Sequence, residues 1–216
     1  MKLSFRALSV ASCMAVLLAA IAPLAQADVI TATVYTNIPN PGDSGDPANS
    51  GPTLPSANFT VGPLGIDFQS QVTGYTPAGF LNNPTFSNQV NGFNPNSTAD
   101  NIEVVISGTL FLNAGNNSFE VAHDDGVVLT VSGFGTVVNQ PGPTGEVTTP
   151  FNVFNPGAAG TFNFLLNYAE CCGAPADLIF EVNNAPITST PEPSSIALLG
   201  TGLFAAAGIA RRRIFS

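Results

Sequence analysis

Between residues 102 and 182, hydrophobic and polar positions alternate with a period of two, broken at short intervals by glycine, proline and asparagine. IEVVISGTLFL (102–112), SFEVA (118–122), VVLTV (127–131) and FGTVV (134–138) follow one another closely. Residues 146–154, TFNFLLNY (161–168) and LIFEV (178–182) continue the series. Alternation of this kind places every second side chain on one face, as a half-buried β-strand requires. An earlier β-branched run, VITATVY (29–35), predicts a first strand. Residues 59–69 and 80–93 are aromatic but interrupted by Gly, Pro and Asn, so they predict short strands or packed loops. Residues 36–56 hold five prolines and three glycines and predict a solvated loop. No segment before residue 190 shows a sustained helical period, and no internal repeat of roughly 20–50 residues is visible. Many short strands joined by turn residues predict an all-β protein, an antiparallel β-sandwich.

Both ends break this pattern. Lys2 and Arg6 precede a mostly apolar run (7–24), and Ala25-Gln26-Ala27 forms an A-x-A cleavage site, so residues 1–27 read as a signal peptide. Cys13 leaves with it, because most of the apolar run follows that cysteine rather than preceding it as in a lipoprotein signal. At the other end Pro191-Glu192-Pro193 is followed by an uncharged stretch from 194 to 210 and then by Arg211, Arg212 and Arg213. That stretch is at the short end of what spans a bilayer, about 17–25 residues. The arginines belong on the cytoplasmic side, so the preceding chain lies outside. The two prolines hold an extended, accessible segment ahead of the transmembrane helix. In its full order the segment 190–216 closely resembles the PEP-CTERM sorting signal of Gram-negative bacteria. The resemblance implies recognition by an exosortase, cleavage near Pro191–Pro193 after transient anchoring in the inner membrane, and transfer to the cell surface or extracellular matrix. Such bacteria typically make exopolysaccharide.

Composition sharpens the reading of what remains, an exported domain spanning residues 28–189. All five basic residues of the chain are in the two terminal segments. Of fourteen acidic residues only Glu192 lies in the tail, so thirteen stand between residues 28 and 190 with no Lys or Arg. A surface of that charge excludes nucleic acid, whose phosphates need Lys and Arg. It also denies every carboxylate an intramolecular salt bridge. Each must be solvated, hydrogen-bonded or held by a bound cation.

The most chemically loaded passage is SFEVAHDDGVVLTVSG (118–133). One reading makes His123-Asp124-Asp125-Gly126 a tight hairpin, since Asp-Gly favours a primed turn with positive φ. The other uses both carboxylates: adjacent Asp side chains repel unless they meet something positive, and calcium takes oxygen ligands of this kind. A second acidic pair, Asp43 and Asp46, lacks the ordered ligand spacing of an EF-hand and reads as loop. The passage from 105 to 182 resembles the protective-antigen and flocculin-type lectin β-sandwich, through its strand–DDG–strand–Gly unit and a later Gly before a strand ending in Tyr168. The resemblance centres on the recognisable core, 102–182. It implies that Asp124 and Asp125, joined by a cis peptide, coordinate calcium, and that the calcium bridges to a carbohydrate. Where flocculin-type members place an Asn in the following loop, this chain has Ala169-Glu170-Cys171-Cys172-Gly173, so Glu170 becomes the candidate third oxygen ligand.

Cys171 and Cys172 are the cysteines left after signal cleavage, and an exported protein does not keep two such thiols free. One histidine with two adjacent cysteines is a poor zinc set, and redox catalysis uses spaced cysteines. A vicinal disulfide pinning the loop beside Glu170 is expected, with an intermolecular bridge as the alternative. No catalytic activity is expected. The single histidine, His123, precedes an acidic turn and reads as exposed, no G-x-S-x-G elbow is present, and the domain lacks Trp. Two functions stay open. The first is a calcium-assisted carbohydrate-binding module of the exopolysaccharide or biofilm layer. The second is a structural or adhesive matrix protein in which the DDG turn is only a hairpin.

Overall fold

The computed structural model describes residues 29–99 and 101–189. The expected signal peptide and the sorting segment, with Pro191, Glu192, Pro193, Arg211, Arg212, Arg213 and the expected transmembrane helix, lie outside the described residues. Among the described residues no helix is long and apolar enough to cross a membrane.

The alternating runs become strands. In order they are β1 (Thr31–Thr36), β2 (Ser56–Thr60), β3 (Asp67–Ser70), β4 (Ser87–Val90), β5 (Ile102–Leu112), β6 (Gly115–Asp124), β7 (Gly126–Val131), β8 (Gly135–Gln140), β9 (Val147–Asn155), β10 (Gly160–Glu170), β11 (Ala176–Val182) and β12 (Ala185–Pro186). A one-turn helix, α1 (Pro77–Phe80), starts on the Thr76 side-chain cap. Two antiparallel sheets result. One has the order β4-β2-β1-β5-β10-β7-β8; the other runs β12-β11-β6-β9, with β3 also pairing β11.

Inward-facing positions of the two sheets fill the space between them. Ile102, Val104 and Ile106 of β5, Val127 and Leu129 of β7, and Leu166 and Tyr168 of β10 are fully buried. Opposite them stand Phe119 and Val121 of β6 with Leu178 and Phe180 of β11. Each such side chain contributes roughly 1.5–3 kcal/mol of burial free energy, which is why the pleat register is fixed here. The interrupted aromatic region, residues 59–93, packs one flank: Phe59 meets Phe68 and Phe86 edge-on, and Phe80 stacks on Tyr168 with ring centroids 5.8 Å apart. Short strands there are held by aromatic contact rather than by long ladders.

Three expectations change. First, Asp124-Asp125-Gly126 is not a hairpin turn. β6 pairs with β9 and β11, whereas β7 pairs with β10 and β8, so the turn carries the chain from one sheet to the other. Gly126 is there for space rather than for positive φ, since a Cβ would collide with the carbonyl oxygens of Pro141 and Gly42. Second, His123 is fully buried in β6 and continues the inward face of Phe119 and Val121. Third, the loop between β1 and β2 is not simply solvated. Asn49 is fully buried, donating its amide to the carbonyl oxygens of Asn40 and Asp43, and Ser44 donates its backbone N–H to Pro141 O at 2.8 Å. That packing lays the loop over the outer face of the seven-stranded sheet, where Glu103 of β5 is only 1 % exposed.

Candidate functional site

The last residues of β6 and of β10 arrive at the same end of the sandwich from different sheets. Asp124 closes β6, Asp125 begins the crossing to β7, and Glu170 closes β10, whose Ala169 pairs with Gly126. One carboxylate oxygen from each of Asp124, Asp125 and Glu170 lies within 4.8 Å of the others. All three side chains are buried, Glu170 completely. The Asp124–Asp125 peptide is cis.

Backbone and aromatic groups fix the cluster. Asp125 Oδ1 accepts from Thr144 N at 3.0 Å, and its Oδ2 accepts from Cys171 N at 2.9 Å. Gly42 closes over it, for a Cβ there would stand 3.1 Å from Asp125 Oδ2. The Tyr168 hydroxyl sits between the Asp124 carbonyl oxygen and Glu170 Oε2, 2.8 Å from the latter. His123 Nδ1 is 2.6 Å from the Asp125 carbonyl oxygen, which only accepts, so Nδ1 donates. The imidazole thus braces the turn from the core side. Glu170 Oε1 is buried and has no hydrogen-bond partner. Cys171 and Cys172 are joined by a disulfide immediately after Glu170, and the loop continues through a cis Ala174–Pro175 bond.

The electrostatics follow from burial with no Lys or Arg nearby and His123 alone opposing, through its effect on Asp125. Desolvation, then the charges of Asp125 and Asp124, raise Glu170 to about 9, against the opposing hydrogen bond from Tyr168. Desolvation and the Asp125 carboxylate raise Asp124 to about 6. Asp125 is raised too, chiefly by desolvation, while the amides of Cys171 and Thr144 pull it down. Two like charges about 4.8 Å apart repel by roughly 3–4 kcal/mol at an effective dielectric constant of about 20. Three ionised carboxylates in this space therefore require a positive charge, and among the described residues there is no Lys or Arg to supply it. The cluster takes up either protons or a cation, and it can hold a metal ion. Its donors are all oxygen, with no sulfur and no imidazole nitrogen directed into it, and Glu170 offers an unused lone pair. That donor set suits a hard divalent cation.

The other acidic pair is used differently. Asp43 Oδ1 accepts from Gly45 N at 2.9 Å, and Asp46 caps the turn Pro47–Asn49 by accepting from Ala48 N at 2.8 Å. These carboxylates serve their own loop. Their charges, after desolvation, help raise the buried Glu103 beneath them to about 8.

Several participants are invisible in the local pattern. Gly42, Thr144 and Pro141 come from two loops distant in sequence, and nothing in either stretch marks them as neighbours of Asp125. His123 was legible in principle, since it stands two and four residues after Val121 and Phe119 on the same face. Asp177 is a further buried acid: it stands opposite Asp124 in the β6–β11 ladder and is raised to about 6 by desolvation and by Glu146, Asp67 and Asp124.

Comparison with known proteins adds two findings. Residues 189–213 match the PEP-CTERM protein-sorting motif. That motif implies an exosortase substrate, exported and sorted to the cell surface. Among solved structures, the fold is similar to the PA14 sugar-binding domain of an RTX adhesin, at 20% identity over 73% of this chain and 90% of that one, with a TM-score of 0.50. It is also similar to the PA14 domain of the antifreeze protein MpAFP, at 16% identity over 77% of this chain and 87% of that one, with a TM-score of 0.54. The described residues have this lectin-like β-sandwich fold. No curated protein matches the chain.

Proposed function

We propose that this chain, with its PEP-CTERM sorting motif and PA14-type sandwich, is a surface-sorted carbohydrate-binding module whose sugar is held through a calcium ion. The observation that carries the reading is the convergence of Asp124, Asp125 and Glu170, from two sheets, into one buried set of oxygens, with no Lys or Arg between residues 28 and 190 to balance it. Calcium takes six to eight oxygen ligands. Three side chains leave positions that backbone carbonyls, water and the hydroxyls of a sugar can fill. The domain's part is to bind and orient: Thr144 N and Cys171 N hold Asp125, Tyr168 holds Glu170, and the disulfide loop walls one side. The sugar-binding relative with this fold supports the same reading. A module of this kind acts in the exopolysaccharide layer or biofilm and needs no catalytic group.

Calorimetric titration of the purified protein with calcium tests it. The expected result is saturable binding and a raised melting temperature, both abolished in Asp124→Asn, with glycan-array signal that disappears in chelator. A folded wild-type protein that ignores calcium would leave the alternative, a structural or adhesive matrix protein with no metal site.

A further inference from the structure

The outer faces of the two sheets differ in charge. On the smaller sheet Glu120 of β6 stands directly opposite Glu181 of β11, and Asp67 of β3 and Asp177 of β11 share that face. The strands of the seven-stranded sheet carry two charged residues, Glu103 beneath the β1–β2 loop and Glu170 in the acidic cluster. The rest of its outer face is uncharged. Cross-strand register sets that face out in rows: Thr60, Thr31 and Ser107 in one, Asn58, Thr33 and Val105 in the next. Directly opposed residues project from the same face of a sheet, so each row presents its side chains together.

Two grooves open on this uncharged side. One, of about 400 Å³, lies over those rows, with Thr31, Thr33, Asn58 and Ser107 in its walls. The other, of about 590 Å³, has the buried side chains of Phe59, Phe68 and Leu81 at its floor and Thr60, Asn83 and Thr85 around it. Thr60 and Ser87 line both, so the two adjoin. Each falls within the roughly 300–1,000 Å³ of small-ligand sites. No Asp, Glu or His lines either. Ser107 stands five residues along β5 from Ile102, the partner of Glu170, a separation of about 17 Å along an extended strand. The grooves are therefore separate from the acidic cluster.

The lining says what kind of ligand fits. Thr33 donates its hydroxyl to Asn58 Oδ1 at 3.0 Å, which leaves the Asn58 amide nitrogen to donate outward. The side chains of Thr60, Asn83 and Thr85 are exposed and have no partner among the described residues. Asn82 and Asn83 hold left-handed backbone conformations, with φ of 61° and 52°, and the Asn82 amide is tied to the Asp67 carbonyl oxygen. A ligand entering here meets amides and hydroxyls around buried aromatic and aliphatic carbon. An ionic ligand finds no counter-charge. A peptide strand finds no straight edge to extend, because the edge strand β4 has Asn88 at a φ of 51° and a shifted register, irregularities of the kind that block strand addition. An uncharged sugar chain matches both parts of the lining, its hydroxyls meeting the amides and its C–H ring faces the apolar floor.

We infer that these adjoining grooves form a second glycan site, independent of any cation, that takes an uncharged oligosaccharide across β1, β2 and the loop bearing Asn83. It stands whether or not the acidic cluster binds calcium. Two sites on one domain let a single module grip a polysaccharide at two points or link two chains, which raises avidity.

Calorimetry on the purified protein in excess chelator tests it, with cellohexaose, laminarihexaose and N-acetylchitohexaose as neutral probes and hexagalacturonate as the charged one. At least one neutral probe is expected to bind, at least tenfold more tightly than hexagalacturonate. Its affinity should change less than twofold between about 50 and 500 mM salt, because no charge pair is formed. Asn58→Asp and Asn83→Asp each place a carboxylate in the site, and Asp keeps the left-handed tolerance that Asn83 needs. Each should weaken neutral-probe binding at least tenfold while the melting temperature and the calcium titration stay as in the wild type. No binding of any neutral probe in chelator, equal binding of hexagalacturonate, or undiminished binding in both variants overturns the inference. So does self-association that the variants abolish, which would give the grooves to a second copy of the chain. Failure of calcium to bind strikes the acidic cluster and leaves this site standing.

Discussion

Asp43 and Asp46 form one acidic pair in this domain, and Asp124 and Asp125 form another. Both pairs are followed or interrupted by glycine and lie in a stretch, residues 28–190, with no Lys or Arg. In the first, each carboxylate turns back on its own loop and accepts a backbone N–H two residues ahead. In the second, the pair lies at a crossing between sheets, and the carboxylates meet Glu170 from a strand more than forty residues away. The contrast shows what separates a capped loop from a site. Local satisfaction consumes a carboxylate, whereas convergence from distant strands leaves several of them facing one another with lone pairs unspent.

That contrast can be broken by mutation. Asp125→Asn should weaken calcium binding at least 100-fold, and Asp43→Asn and Asp46→Asn should each change it less than twofold, as read by calorimetry. A comparable loss in Asp43→Asn would mean that the loop pair belongs to the cation site after all.

pH sharpens it next. Glu170 rises from 4.5 to about 9 and Asp124 from 3.8 to about 6 in the folded, metal-free protein. A raised acid stabilises the fold most below its unfolded value, and that contribution is lost as pH climbs towards the folded one. The metal-free melting temperature should therefore fall between pH 5 and pH 9, by on the order of 5 °C if one to two kcal/mol is lost in a domain of this size. Calcium should flatten most of the slope, because it replaces the protons. Glu103, raised from 4.5 to about 8 beneath the Asp43–Asp46 loop, and Asp177, raised from 3.8 to about 6, should supply the slope that remains, and Glu103→Gln should reduce it. An unchanged slope in saturating calcium would detach the acidic cluster from the cation.

The smallest effect belongs to the loop. Asp46→Ala removes the cap of the Pro47–Asn49 turn and the acceptor for Asn40 Nδ2, and should cost about 1 kcal/mol in chemical denaturation while calcium affinity holds. A larger stability loss accompanied by weaker calcium binding would show that the loop also tensions the lid that Gly42 forms over Asp125.

Much of this was legible in the chain. The strands from 102 to 182 follow from strict alternation, and the chemistry of the site follows from acidic residues with no basic partner. The aromatic flank was less clear, because strands as short as Asp67–Ser70 carry too few positions to show a period. The Asp-Asp-Gly turn misled for a physical reason: Asp-Gly chemistry is equally compatible with a hairpin and with a corner between sheets. His123 misled because an acidic neighbourhood was weighed above its place in the Phe119–Val121 face. Asp177 passed unnoticed inside a hydrophobic strand, where its pairing with Asp124 has no local signature.

The sequence by itself determined the strands, the absence of Lys and Arg between residues 28 and 190, and the sorting motif at 189–213. These are properties of side chains and of their spacing along one strand, and the pleat converts spacing directly into a face. Only the tertiary structure decided that Asp124, Asp125 and Glu170 share one buried space, that Gly42 and Thr144 close over it, and that Asp177 stands beside it. Those meetings depend on which sheet each strand joins, a choice made by long-range packing of the core between the two sheets and not by any residue's immediate neighbours.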